Sequence, residues 1–470
     1  MAMGTRKSRE RQEELWYRSE VAEAPGHPFY RKLEGMLKQA GFDEFCEQEC
    51  RRYYADGRGR PSLAPGVYFR LMLIGFFEGL DSERGIAWRV ADSLSLREFL
   101  GYGIDESTPD HVTISRTRRL LDPDTHQKVF GWGLEQLAEA GLVKGKTMGV
   151  DSTTLEANAA MKSIVRRDTG ENYLEFLKRV AEAEGVEAAD AAALLRMDRK
   201  RKKKKTSNDD WTSPADPEAE ITKLKDGRTA LAYKVEQAVD METGAIVAVT
   251  THGGAVADSA TAVETLCEAG EAVAVLISVK SADGQYPVNE AGIAEVVADK
   301  GYHSNATMVE MKELGLRTYV AEPDRGARNW DGKIEERDAV YANRRRIHGQ
   351  RGKRLQSQRG EKIERNFAHQ FDTGGMDRLY LRGRQNVHKR LLVQAAACNL
   401  ALLLRCWYGA GKPKAAHDLK SAAIFSFLRL LSALFEAECA DRDFDCHQPR
   451  IQRVLNFVVA ASVVPQKPAL

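Results

Sequence analysis

The sequence lacks the cysteine patterns of a secreted or zinc-binding protein. It has seven cysteines, an odd number, and no Cys-x-x-Cys pair or secretory signal peptide is recognisable. These absences argue against a disulfide framework and predict a protein of the reducing cytoplasm. Cys46 and Cys50 stand four residues apart on a predicted helix. Because no second pair completes a zinc site, we expect both to pack as small apolar side chains.

The overall charge is also small, and the apolar runs are short. The formal net charge is +2, which does not by itself indicate a nucleic-acid-binding protein. The most apolar predicted helix, residues 422–437, carries Arg429 and Glu436 and is too short to span a bilayer. We therefore expect no membrane association. Charged residues make up 29% of the chain and hydrophobic residues 43%, as in ordinary soluble proteins.

Positive charge is instead concentrated in two segments. Residues 199–205 are all arginine or lysine, and a polar stretch follows them. Such a run is typical of a solvated loop, which can also contact DNA phosphates without reading sequence. The second segment, residues 344–365, is rich in arginine and leads into a predicted helix.

The periodicity of apolar residues changes near residue 140. Before this point it indicates helices, and after it short strands alternate with helices. We predict an all-α domain over residues 1–140 and an α/β domain with a mixed five-stranded sheet over 141–405. A helical, Lys/Arg-rich insertion is expected at about 160–225, and a helical extension over 406–470.

The amino-terminal helices allow two interpretations. Two short helices precede a third that begins near Pro109 and carries Arg116 and Arg119. This arrangement suits a helix-turn-helix unit with the third helix in a DNA groove. Packing of three helices with arginines on the surface fits the pattern equally well, and the sequence leaves both interpretations open.

Two aspartates each follow a strand-like run. Asp151 follows residues 147–150, and Asp299 follows the apolar residues 293–298. An aspartate at such a position can simply cap a neighbouring helix. Taken by itself, Asp151 fits this alternative as well as it fits a metal site. For Asp299, Gly301 predicts a sharp turn that presents the carboxylate at the edge of the sheet.

A third acidic residue is expected on the basic helix near residue 364. Ile363, Phe367 and Phe371 recur at helical spacing and define its packed stripe. Glu364 lies at the edge of that stripe, whereas Glu361 lies further round towards solvent. A metal ligand must be anchored and yet face a cleft, so Glu364 is the better candidate.

Three carboxylates in this setting can converge on a pair of divalent cations. Hard cations such as magnesium prefer carboxylate oxygens, and manganese is a common substitute. Such a pair can activate a water or a 3′-hydroxyl and stabilise the leaving oxygen of a phosphodiester. The sequence therefore predicts a two-metal site at Asp151, Asp299 and Glu364.

The chain resembles bacterial insertion-sequence transposases of the DDE type. Matching blocks follow one another in order from about residue 28 to residue 405, which is far more specific than one short motif. The blocks that carry the resemblance are residues 59–65, 71–73, 80–84, 96–101, 108–116, 151–158, 298–302 and 363–367. The resemblance implies a ribonuclease-H-like catalytic domain in which Asp, Asp and Glu come from strand, strand and helix.

The resemblance also implies function and partners. Such an enzyme binds the terminal inverted repeats of its element, cleaves at the ends and joins the 3′-hydroxyls to target DNA. It works in the bacterial cytoplasm on the nucleoid, as a dimer or a larger assembly on double-stranded DNA. The side chains expected to contact DNA are Tyr341, Arg344, Arg345, Lys362, Arg365, Arg116, Arg119 and Lys300. The alternatives are a site-specific nuclease without strand transfer and a DNA-binding protein that has lost catalysis.

Overall fold

The computed structural model describes most of the chain up to residue 417. The described residues are 2–6, 26–55, 59, 61–185, 190–200, 208–281, 283–326, 328–376 and 378–417. Residues up to Ala416 form one compact unit. The predicted extension over 406–470, with its apolar helix at 422–437, falls almost wholly outside the described residues.

The amino-terminal part is helical, as the apolar periodicity predicts. Its helices are α1 (Pro28–Gln39), α2 (Phe42–Cys50), α3 (Pro65–Glu78), α4 (Glu83–Ala91), α5 (Leu94–Leu100), α6 (His111–Leu120) and α7 (Pro123–Glu139). Side-chain caps fix where several of them begin: Ser82 accepts from the Gly85 amide and Asp110 from the Thr113 amide. Cys46 and Cys50 are free and buried, and burial raises the pKa of the Cys50 thiol to about 12. Both therefore pack as apolar side chains.

Strands and helices alternate in the rest of the described chain. In order they are β1 (Thr147–Glu156), β2 (Val165–Arg166), α8 (Tyr173–Ala183), α9 (Ala191–Lys200), β3 (Trp211–Thr212), β4 (Glu220–Lys223), β5 (Thr229–Asp240), β6 (Ile246–Gly253), α10 (Asp258–Leu276), β7 (Glu295–Ala298), α11 (Asn305–Glu313), β8 (Arg317–Val320), α12 (Ile334–His348), α13 (Gln350–Phe371) and α14 (Arg384–Tyr408). Helices α8 and α9 lie within the predicted insertion and share a small core of their own around Leu177 and Leu194.

The main sheet is mixed. Strand β5 pairs antiparallel with both β6 and β1, whereas β7 pairs parallel with β1 and β8 pairs parallel with β7. The order across the sheet is β6-β5-β1-β7-β8. Helix α10 connects the antiparallel half to the parallel half, since parallel strands need a crossover. This mixed sheet with helices is compatible with a ribonuclease-H-like DDE domain.

Two details of the sheet correct the sequence prediction. The sheet has six strands rather than five, because β4 pairs with the first residues of β5. In addition, Asp151 does not end its strand: β1 continues to Glu156 because β5 supplies antiparallel partners along that whole length. Only the parallel pairing with β7 ends before Asp151, at Gly149.

Helix α14 is the central core helix. It packs against α3, α7 and β6, so it joins the helical part to the sheet. Asn399 accepts from the Ile246 amide at 2.9 Å and donates to the Ile246 carbonyl at 2.8 Å, both buried. Among the described residues, Arg384–Ala415 is the one stretch long and apolar enough to cross a membrane, and it is largely buried inside the protein. Its apolar character is explained by its place in the core.

Candidate active site

The sheet brings Asp151 and Asp299 together. Strands β1 and β7 are parallel, with Met148 opposite Val296 and Gly149 opposite Val297. The pairing ends there: Asp151 lies two residues beyond Gly149 on β1, and Asp299 lies two residues beyond Val297, directly after β7 ends. The negative charge of Asp299 acts to raise the pKa of Asp151, so the two carboxylates lie in the same part of the sheet edge.

Asp151 is held by two hydrogen-bond donors. Arg359 of α13 donates from Nη1 to Oδ2 at 2.5 Å, and the Ser152 amide donates to Oδ1 at 2.8 Å. Burial raises the pKa of Asp151, and the Arg359 guanidinium works in the opposite direction. A cation that binds this oxygen must therefore replace the guanidinium.

A short loop fixes the second carboxylate. Asp299 caps the turn that follows β7, with Oδ1 accepting from the Gly301 amide at 2.8 Å. Gly301 does not have a positive φ, so the expected sharp turn is not why glycine stands here. A Cβ at this position would lie 2.7 Å from Oδ2 of Asp258, so any other residue would displace the Asp258 carboxylate. The loop thus sits tightly against the start of α10.

A network of buried hydrogen bonds supports the loop that carries Asp299. The Tyr302 hydroxyl donates to Oε1 of Glu236 at 2.7 Å, and both residues are fully buried. Thr261 and Thr265 donate to the same carboxylate. Burial raises the pKa of Glu236, and these donors oppose the rise. Satisfied buried networks of this kind hold one geometry, here that of the turn carrying Asp299.

Helix α13 crosses the sheet on the face that carries Asp151. Ile363 packs against Gly149, where an added Cβ would lie 2.9 Å from its Cδ1 atom. Gln356 donates to the carbonyl of Ala298 at 2.9 Å, and Asn366 donates to that of Gly244 at 3.0 Å. These contacts hold α13 against the part of the sheet where both aspartates lie.

Glu364 lies on this helix but does not join the two aspartates. Its side chain is exposed, and Oε1 points back along the helix towards Gly360. Glu361 is also exposed, with 70% of its side chain accessible, and lies 3.9 Å from Arg365. Within the described part of the chain, no three acidic, histidine or cysteine side chains are grouped closely enough to hold a metal ion. The choice of Glu364 therefore remains a prediction.

The donor chemistry nevertheless suits a hard divalent cation. Asp151 and Asp299 present carboxylate oxygens at adjacent strand positions, and α13 places a third carboxylate on the neighbouring helix. Completing the site requires Arg359 to leave Asp151 and Glu364 to turn towards the sheet.

Tyr341 and Arg344 lie on α12 and contact each other, with the guanidinium 4.9 Å from the ring centre. Arg344 also makes a two-pronged ion pair with Glu322, at 2.8 and 2.7 Å, which raises the pKa of the arginine. A phosphate at Arg344 must compete with Glu322. Arg345, by contrast, is exposed.

The remaining predicted contacts near the site differ in exposure. Lys300 is exposed beside Asp299, and Arg365 is exposed on α13. Lys362 donates to the Glu242 carbonyl at 2.6 Å, and burial lowers its pKa. His303, three residues after Lys300, is buried.

Arg116 and Arg119 are exposed on α6. Ten residues, 101–110, separate α5 from α6. A helix-turn-helix unit joins its helices by three or four residues. The longer connection favours the alternative of packed helices with surface arginines.

We predict different roles for the two basic segments. The described residues do not include 201–207, which contain most of the Lys/Arg run at 199–205. Replacing Lys202, Lys203, Lys204 and Lys205 by Ser should weaken binding to any duplex and flatten its salt dependence. The slope of log affinity against log salt falls by about 0.9 for each phosphate that the protein no longer neutralises. Replacing Arg344 and Arg345 should instead reduce cleavage more than binding. Loss of preference for the element's end in the lysine variant would contradict this division.

Sequence reasoning missed Arg359 and Asp258. The phase of α13 could have identified Arg359, because it stands one turn before Ile363 on the packed stripe. Asp258 accepts from the Ser152 hydroxyl at 2.8 Å and lies 3.2 Å from the Lys234 ammonium. Only the fold brings these groups together.

Comparison with known families gives two matches. Residues 19–120 match the transposase domain DUF772, and residues 325–404 match a transposase DDE domain. The first match covers the helices up to α6, and the second contains Glu364. Asp151 and Asp299 lie outside both matched regions. No curated protein matches the chain.

Proposed function

Because these two matches identify the chain as an insertion-sequence DDE transposase, we propose that it binds the terminal inverted repeats of its element, cleaves at the ends and joins the 3′-hydroxyls to target DNA. We further propose a ribonuclease-H-like catalytic fold, since three antiparallel strands followed by two parallel ones carry the acidic residues.

One observation carries the proposal. Asp151 lies on β1 and Asp299 directly after the adjacent parallel strand β7, each two residues beyond the paired residues Gly149 and Val297, and α13, which bears Glu364, lies within the residues that match a transposase DDE domain. Carboxylates that merely capped helices would not need to lie together at this part of the sheet. The pairing supports a catalytic carboxylate pair rather than two isolated caps.

Asp151, Asp299 and Glu364 would hold two magnesium ions, which supply Lewis-acid activation of a water or 3′-hydroxyl when bound. The chain's own residues prepare the site. The network of Tyr302 and Glu236 fixes the turn at Asp299, and Arg359 balances the charge of Asp151.

Metal dependence tests the proposal. Cleavage of a duplex that carries the element's end should require magnesium or manganese. Calcium should support binding with little cleavage, because its longer and looser coordination misplaces the reacting oxygens. The measurement is strand cleavage on gels in parallel with a binding assay for each metal. Full cleavage in excess chelator would refute metal catalysis.

The same assay separates transposition from simple nuclease activity. A transposase joins the cleaved end to a second DNA, and the joined product is visible as a longer strand. A nuclease on the same fold would release ends without joining them. Concerted joining of two ends requires at least a dimer on DNA, which we propose as the active assembly at the nucleoid.

A further inference from the structure

A continuous depression lies away from Asp151, Asp299 and Glu364. It is bounded by α6, residues 378–386 and the start of α14. It consists of a cavity of about 380 Å³ and an open groove of about 400 Å³. The two share Arg118, Tyr380 and Leu381 in their walls, so they form one surface. We call this surface the α6 groove.

The charge of the α6 groove is strongly positive. Its walls contain seven arginine or lysine side chains and two carboxylates. One of the two, Glu83, is already paired with Arg118 at 2.6 Å. The open half contains Arg118, Arg119 and Arg382, and no carboxylate is among the described residues that line it. Such a wall attracts an anion.

Two of the cations are buried beneath the groove. Lys389 and Arg390 are 5% and 7% exposed. Lys389 donates to the Arg118 carbonyl at 3.2 Å and Arg390 to the Leu80 carbonyl at 2.9 Å, so their hydrogen bonds satisfy donors without neutralising charge. Burial lowers the pKa of both groups. Buried charges are costly unless compensated: Glu83 and Asp81 offset part of the Arg390 charge and Asp122 part of the Lys389 charge, and an anion in the groove would add to this compensation.

The outer wall is suited to a polymer rather than to a small anion. Arg119, Arg378 and Arg382 are exposed along it, together with Tyr380, which is 47% exposed. The Arg378 guanidinium lies 5.8 Å from the Tyr380 ring centre. Several exposed cations in a row match the repeating phosphates of a nucleic-acid strand.

The groove is tied to the active site through β1. Asn158 follows β1, donates to the Tyr380 carbonyl at 2.9 Å and accepts from Arg382 at 3.2 Å. It stands seven residues beyond Asp151, two of them after the end of β1, so at about 3.3 Å per residue the chain spans at most about 23 Å. Base pairs rise by about 3.4 Å, so this distance is at most about seven base pairs.

We infer that the α6 groove binds the phosphate backbone of duplex DNA within about seven base pairs of the phosphate held at Asp151 and Asp299. The inference rests on the proposed function for its partner. The groove then acts as a second anchor, so the end of the element is held at two points and its scissile phosphate is aligned.

A double variant, Arg119→Ser with Arg382→Ser, tests the inference. Both side chains are exposed, so the fold should persist, which a thermal unfolding curve checks. Affinity for a duplex is measured without metal across a salt series. The slope of log affinity against log salt should fall by about 1.8, because two phosphates are no longer neutralised. The matched control, Arg31→Ser with Lys38→Ser, removes two exposed cations of α1 and should leave the slope nearly unchanged.

Neutral phosphates locate the contact. Methylphosphonates are placed one at a time along the duplex, and binding of the wild type and the double variant is compared as a double-mutant cycle. Wild type should lose affinity at one or more phosphates within about seven base pairs of the cleaved one, and the double variant should lose none there. An unchanged slope, equal sensitivity of the double variant and wild type, or tighter binding to single-stranded RNA than to the duplex would overturn the inference.

Failure of the proposed function gives a different pattern. If the wild type binds DNA through the groove but neither cleaves nor joins it with any metal, the transposase mechanism fails and the groove stands. If cleavage and joining occur but the double variant binds and cleaves like the wild type, the groove assignment fails and the function stands.

Discussion

Asp151→Asn, Asp299→Asn and Glu364→Gln should each reduce cleavage of the element's end by on the order of a thousand-fold or more, with DNA binding largely retained. The carboxylates act as one unit around the metal ions, so removing a second should cost little beyond the first. The amide variants keep the size of each side chain, and Asn at position 151 still offers an oxygen to Arg359. Single-turnover cleavage rates with magnesium and a parallel binding assay measure the effect.

Glu361→Gln is the matched control for the third ligand. It lies on the same helix, three residues before Glu364, and its side chain is equally open to solvent. Its cleavage rate should stay close to that of the wild type. An inactive Glu361→Gln beside an active Glu364→Gln would show that the third ligand had been assigned to the wrong glutamate.

Removing the guanidinium from Asp151 should change both stability and metal response. In Arg359→Gln, the half-buried carboxylate loses its charged partner, so the free energy of unfolding at neutral pH should fall by about 1–3 kcal/mol. A divalent cation no longer competes with the guanidinium, so manganese should raise the melting temperature more, and at lower concentration, than in the wild type. Thermal unfolding across a manganese series, without DNA, measures this.

The pH dependence has a defined sign. Burial already raises the pKa of Asp151, and loss of Arg359 removes an influence that lowers it. A raised pKa in the folded state means that protonation favours folding. The stability lost in Arg359→Gln should therefore be largest above that pKa and shrink as the pH falls through it.

Arg354→Gln is the control for this experiment, because Arg354 is an exposed residue of the same helix. It should match the wild type in both stability and metal response. If Arg359→Gln and the wild type respond identically to manganese, Arg359 and the cation do not compete for Asp151.

Local patterns were sufficient to predict most of the elements. The helices before residue 140, the alternation of strands and helices after it, and the helix around residue 364 each appear in the structure. Turn residues, caps and helical spacing act over a few residues, so the chain specifies them without its neighbours. The length of β1 could not be predicted from local patterns. Its residues beyond Asp151 form a strand only because they pair with β5.

The sequence by itself determined which acidic residues follow strand-like runs and which helix carries a third, since strand and helix periodicity are local properties. Packing of the whole chain brings Asp151 and Asp299 together, because their positions depend on how the distant strands β1 and β7 pair. It also placed Arg359 on Asp151 and joined α6 to residues 378–386 in one basic groove. Contacts between residues hundreds of positions apart arise from packing, and no local spacing encodes them.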